Sequence, residues 1–152
     1  MRVFHDVDGI LRAVGEPLGT SDWVQITQER VDTFAEATGD HQWIHVDVDR
    51  ARAESPYGGP IAHGYLSLSL LPMLGWQTYA VEGAKLGVNY GSNKVRFPSP
   101  VPVGSRLRLN SVLLEASRLP DGAVQMVVQQ TLEIDGQTKP AVVAETVSRV
   151  VY

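Results

Sequence analysis

Residues Tyr65–Ala80, YLSLSLLPMLGWQTYA, place apolar side chains on nearly every face of a helix. A helix of that kind needs protein all around it. The chain after Lys85 has the composition to provide it. Four long stretches follow, Leu86–Phe97, Arg106–Arg118, Val124–Ile134 and Ala141–Val151, rich in Val, Leu and Thr. They show partial period-two alternation, as in RLRLNSV from Arg106, which marks strands. The Asp-Gly signals in LPDGA and IDGQTK turn the last three into hairpins. PSPVPVGS, Pro98–Ser105, is a rigid connector.

A strand of eleven residues reaches roughly 35 Å, long enough to curl. The expected class is α+β: a long curled antiparallel sheet wrapped around one buried central helix, the hot-dog arrangement. Pro72 is expected to bend that helix or end it early. Upstream, Asp6–Val14 is weakly helical and Asp22–Ile26 reads as a short strand. Thr27 caps a helix over Gln28–Thr38 that turns Val31, Phe34, Ala35 and Thr38 to one face. Gly39 ends it in a left-handed turn. Asp47 or Asp49 starts a short helix through Ala53, and Ser55–Gly64 is loop. The 152 residues suit one domain, residues 1–152.

Composition removes several functions. A net charge of −4 gives no basic face for nucleic acid. The absence of cysteine removes disulfides, thiolate metal sites and thiol nucleophiles. MRVFHDVDGILRAVGEP lacks the basic and long apolar regions of a secretory leader. The apolar stretch at Tyr65–Trp76 is too short and too interrupted to cross a bilayer. The expectation is a soluble cytoplasmic protein with no membrane or nucleic-acid partner.

The chemistry gathers in TGDHQWIH, Thr38–His45. Asp40 and His45 stand five residues apart beside the large apolar Trp43 and Ile44. A carboxylate and an imidazole in one apolar pocket orient and deprotonate water, since histidine titrates near neutrality. Spacing alone favours a plainer reading, an aspartate bonded to its own backbone and a structural histidine, because loop aspartates usually bond that way. His63-Gly64 lies where the central helix begins. A free amide there sits at a positive helix end and polarises a carbonyl oxygen, and glycine lets a ligand come close. Lys94 and Arg96 share one strand face before the connector and suit a phosphate, although a solvated strand face is the commoner meaning of two such charges. His45, Asp47, Asp49 and His63 are the groups to weigh for a metal. With no HExxH and no Cys/His framework, none is expected. No GxSxG elbow supports a serine triad.

FAEATGDHQWIHVDVDRA, Phe34–Ala51, resembles the hydratase motif of the MaoC-like, (R)-specific enoyl-CoA hydratases. Gly39, Asp40, Ile44, His45 and Ala51 match its pattern. GGPIAHGYLSLSLL resembles the family's second block and VNYGSNKVRFPSPVPVGSRL its third. The chain is most similar to the actinobacterial members grouped with nodulation-protein-N-like sequences. There are two departures. The family's Asn-Pro pair is Gln42-Trp43, and a serine found in some members eight residues after the glycine is Pro72.

The resemblance implies reversible (R)-specific hydration of trans-2-enoyl-CoA in fatty acid metabolism. Asp40 and His45 would activate water, and the Gly64 amide would hold the thioester oxygen. Gln42, Trp43, Ile44, His63, Lys94 and Arg96 are the expected substrate contacts. The CoA thioester is the substrate, and no cofactor is expected. The resemblance also implies a homodimer with sites near its interface, or a heterodimer with a related hot-dog subunit. Two other functions fit the same fold: an acyl-CoA thioesterase, and one subunit of a heterodimeric 3-hydroxyacyl-ACP dehydratase. The Asp40–His45 pair favours hydration over both.

Overall fold

The computed structural model describes all 152 residues. Its elements in chain order are β1 (Arg2–Phe4), α1 (Val7–Arg12), β2 (Pro17–Thr20), β3 (Val24–Gln25), α2 (Gln28–Thr38), α3 (Trp43–Val46) and α4 (Val48–Glu54). They continue with α5 (Gly64–Ser69), α6 (Leu71–Gly75), β4 (Tyr79–Val81), β5 (Leu86–Arg96), β6 (Arg106–Arg118), β7 (Val124–Ile134) and β8 (Val142–Val151). The main sheet is antiparallel in the order β2-β6-β7-β8-β5, with β3 also on β6. It curls about the α5–α6 helix pair in the hot-dog arrangement. A separate parallel pair joins β1 to β4.

Local signals set the element ends. The Thr27 hydroxyl accepts the Arg30 N–H at 3.2 Å, and Gly39 takes φ 79° to close α2. Asp47 caps α4 by accepting the Arg50 N–H at 3.1 Å. The two Asp-Gly turns place Gly122 and Gly136 at positive φ. The helix pair buries Leu66, Leu70, Leu71 and Leu74 against Leu107, Leu109 and Leu132 of the sheet. Burying a leucine side chain fully contributes about 1.5–3 kcal/mol, so this contact fixes the helix on the sheet. A second cluster, with Phe4, Ile10 and Leu18 against Leu113, Met126 and Val128, seals the other end.

The central helix departs from the sequence expectation in two ways. It is two short helices joined at Leu70, and it stops at Gly75; Tyr79–Val81 is already strand. Pro72 lies in the first turn of α6, where its missing N–H breaks no hydrogen bond. The helix is also not covered all round. Tyr65 is 70% exposed and Trp76 76%. Beside them runs β5, the sheet edge, exposed at every position but Val95. No helix is long and apolar enough to cross a membrane.

Candidate active site

The Asp40–His45 loop is built from the end of α2 and the one-turn helix α3. Gly39 reverses the chain, so Asp40 follows immediately. Gln42, exposed, sits at the N-terminus of α3 without a side-chain cap, and its N–H points to Asp40 Oδ1 at 3.3 Å. One turn later His45 is buried, 7% exposed. The neighbouring strap Ile61–Ala62 is tied on both sides. Ile61 N–H donates to the Ile44 carbonyl at 3.0 Å, and Ala62 N–H donates to the Val101 carbonyl at 2.8 Å. That strap delivers His63 and Gly64 to the same place.

The result brings Asp40, His45 and His63 together, with one ligand atom of each within 4.8 Å of the others. The His45 Nδ1 is 2.7 Å from the Ile61 carbonyl oxygen. A carbonyl only accepts, so Nδ1 carries the hydrogen. In the neutral ring Nε2 is then a lone-pair acceptor. Burial pushes the His45 pKa below its ordinary value, and the neighbouring His63 pushes the same way. The bond to the Ile61 carbonyl and the Asp40 charge oppose the shift. A neutral His45 with a free Nε2 is a base at neutral pH.

His63 braces this arrangement. Its Nε2–H donates to the Asp40 backbone carbonyl at 2.9 Å, its ring stacks on His45, and Phe34 packs against it with centroids 5.0 Å apart. Its Nδ1 is buried without a partner. The three side chains are a poor cation cage as placed. Rings stacked at 3.9 Å and 28° hold their in-plane lone pairs in nearly parallel planes, whereas ligands of one ion must converge on it.

Gly64 is the first residue of α5. N–H groups of a first helical turn have no intrahelical acceptor, so this amide is free to donate. A Cβ at Gly64 would meet the Phe97 ring at 3.2 Å. The remaining expected contacts lie apart from this cluster. Trp43, half-buried, stacks under the Arg50 guanidinium, 4.3 Å from its ring centroid. Ile44 is half-buried and offers its carbonyl to the strap. Lys94 pairs with Glu145 at 3.0 Å, and Arg96 donates to the Val95 carbonyl at 2.7 Å. Both cations are on the exposed edge strand. His41 is turned outward to Glu36, which holds its pKa up.

The sequence reading missed an apolar cavity. About 400 Å³ opens between the end of α6 and the start of β5, with Leu71, Pro72, Gly75, Trp76, Leu86 and Val88 among its walls. Gly75 has open space where a Cβ would be. The signal in the sequence was Pro72 and Gly75, three positions apart, short residues in an otherwise bulky helix.

Comparison with known proteins is consistent over the whole chain. Residues 10–136 match the family model described as MaoC like domain. The "3-hydroxyacyl-thioester dehydratase Z" of Mycobacterium tuberculosis is 56% identical over 151 residues, covering 99% of each chain. "Nodulation protein N" of Rhizobium meliloti is 44% identical over 137 residues, 89% of this chain and 84% of that one. Among solved structures, the R-hydratase PhaJ1 of Pseudomonas aeruginosa superposes with a TM-score of 0.69 at 25% identity, covering 91% of this chain and 81% of that one.

Proposed function

The chain belongs to the MaoC-like domain family and is a hydro-lyase; on that premise we propose that it hydrates trans-2-enoyl-CoA to (R)-3-hydroxyacyl-CoA and catalyses the reverse dehydration. The observation that carries this reading is the His45 imidazole, whose Nδ1–H is fixed on the Ile61 carbonyl, leaving Nε2 as its acceptor, in a cluster where one ligand atom each of Asp40, His45 and His63 lie within 4.8 Å of one another. A water held between Asp40 and Nε2 gives its proton to His45 as its oxygen bonds to C3. The electron pair of the double bond moves to the thioester oxygen as an enolate, and the Gly64 N–H donates to that oxygen. A proton from the Asp40–His45 pair then closes the C2–H bond. The pair receives one proton and returns one, so the site ends as it began.

A homodimer completes this proposal. β5 is an unprotected edge of eleven residues, and such an edge pairs readily with another strand. Antiparallel self-pairing about a two-fold axis near Gly91 brings the Leu86 end of one copy beside the Phe97 end of the other. The cavity of one copy then lies next to Gly64 of its partner and receives the acyl chain. It also covers the exposed Tyr65 and Trp76. The CoA portion stays outside, where Lys94 and Arg96 sit at the surface and suit its phosphates.

Crotonyl-CoA hydration tests the reading, with chiral analysis of the product. The expected product is the (R)-3-hydroxy thioester, with no free CoA released. An (S) product, or CoA release without hydration, overturns it.

A further inference from the structure

The cavity has one feature that an ordinary alkyl chain does not use. Met126, Val128, Leu132 and Ile134 of β7 share a buried face with Gln130, since side chains alternate along a strand. In this row Gln130 is the polar member, 4% exposed, and it lines the cavity. A buried amide in an apolar row is costly unless both ends are paired.

One end is paired. Ser111, directly opposite on β6, donates its hydroxyl to Gln130 Oε1 at 2.7 Å, and Thr78 supports Ser111 at 3.1 Å. Ser111 and Thr78 are 1% and 0% exposed, and the Thr78 hydroxyl also reaches the Gly75 carbonyl at 2.9 Å, so this cluster belongs to the core and holds the amide in place. The amide nitrogen has no acceptor in the protein. Of the other polar groups on the sheet side of the wall, Tyr79 bonds Ser148 and Thr146 donates to the Val128 carbonyl, while Asn89 and Trp76 are exposed at its rim. The Gln130 NH₂ is thus a donor held rigidly at an otherwise mostly apolar wall, the arrangement by which a pocket selects among similar ligands.

Resting on the hydratase reading, we infer that this cavity selects acyl chains carrying an oxygen function, a hydroxyl or carbonyl along the chain, which accepts a hydrogen bond from the Gln130 amide. A plain alkyl chain displaces the water at that amide and leaves the donor unpaired. An oxygenated chain replaces the water. Gln130 is a specificity residue here and does not touch the reacting atoms.

The test compares trans-2-octenoyl-CoA with its chain-oxygenated analogues, hydroxy and oxo at successive positions from C5 to C8. The readout is the ratio of kcat/KM, oxygenated over plain, within each protein, which cancels any difference in folded fraction. In the wild type the best-placed oxygen is expected to gain about tenfold, the factor that corresponds to about 1.4 kcal/mol. Gln130→Leu is expected to bring the ratio to about one or below, and Gln130→Met serves the same purpose if the leucine variant folds poorly. Ser111→Ala releases the amide and reduces the ratio in part, which a merely structural glutamine would not do. A wild-type ratio near one at every position, or a ratio unchanged in Gln130→Leu, overturns this inference alone. Failure of the wild type to hydrate even crotonyl-CoA overturns the hydratase reading and this inference with it.

Discussion

The imidazoles of His45 and His63 lie face to face, their centroids 3.9 Å apart and their planes 28° from parallel. His63 also reaches past His45 to the Asp40 carbonyl. One side chain thus holds both members of the proposed catalytic pair. His63→Leu keeps apolar bulk and loses the hydrogen bond and the stack. Its kcat should fall at least about tenfold, the scale of one lost hydrogen bond. His63→Gln retains a donor near Nε2 and should recover part of that loss. Equal kcat in wild type and His63→Leu would show that the brace has no part in turnover.

The acid limb of the pH profile should belong to His45. Burial lowers its pKa in the folded protein, so it lies below the ordinary 6.5. kcat/KM should therefore be level at pH 7 and decline only below about 6.5. Stability follows the same group. Between the folded value and about 6.5, the unfolded chain binds more protons than the native chain. Stability then falls as pH falls through that window. His45→Gln should flatten this part of the melting-temperature profile. An acid limb centred above 6.5 would point to another group.

How far could this be read without coordinates? The ends of α2, β6 and β7 could, because a threonine cap, a glycine at positive φ and period-two alternation are local signals. The Asp40–His45 loop could, since it sits on those same signals. β2 could not: Pro17–Thr20 holds a proline and a glycine and is a strand only because β6 pairs with it. The Trp43 orientation depends on Arg50, one helix further on. The Ile61 carbonyl that sets the His45 tautomer lies sixteen residues away, in a loop with no pattern of its own. Gln130 was hidden for the opposite reason, as one polar letter in a strand where polar letters alternate anyway.

Asp40 and His45 should fail as one unit. Asp40→Asn and His45→Gln are each expected to reduce kcat by about a hundredfold or more, the scale of general acid–base catalysis. The double variant should lose far less than the product of the two effects. Circular dichroism would confirm that each variant folds. Multiplicative losses would mean that the two groups act on separate steps.

The edge strand should govern assembly and activity together. Gly91→Asp places a carboxylate on the exposed β5 at the proposed two-fold axis, where a Cβ would meet nothing within 4 Å. Two such charges face each other across the interface and repel, and like charges opposite one another destabilise strand pairing. Light scattering should report a dimer for the wild type and a monomer for the variant, with hydration of octenoyl-CoA lost more severely than the melting temperature falls. A wild-type monomer that becomes active only with a related hot-dog subunit would assign this edge to a heterodimer.

Gly64 and Phe97 offer the sharpest test of the oxyanion donor. A Cβ at Gly64 would come within 3.2–3.3 Å of three Phe97 ring atoms. Even Gly64→Ala therefore has two separable consequences: it crowds Phe97, and it narrows the approach to the amide. The crowded atoms belong to the Phe97 side chain and not to backbone, and need to give by only a few tenths of an ångström, so the stability loss from alanine should be modest. Gly64→Val adds two methyl groups and should cost more of both. Phe97→Ala in the Gly64→Ala background removes the crowding without clearing the approach. If Gly64 holds the thioester oxygen, the double variant regains its melting temperature while kcat/KM stays low. The expected loss is at least tenfold, because one oxyanion donor is worth about 2.7–4 kcal/mol when fully removed. If the glycine serves only to fit beneath Phe97, melting temperature and kcat/KM recover together. That outcome would remove Gly64 from the catalytic assignment.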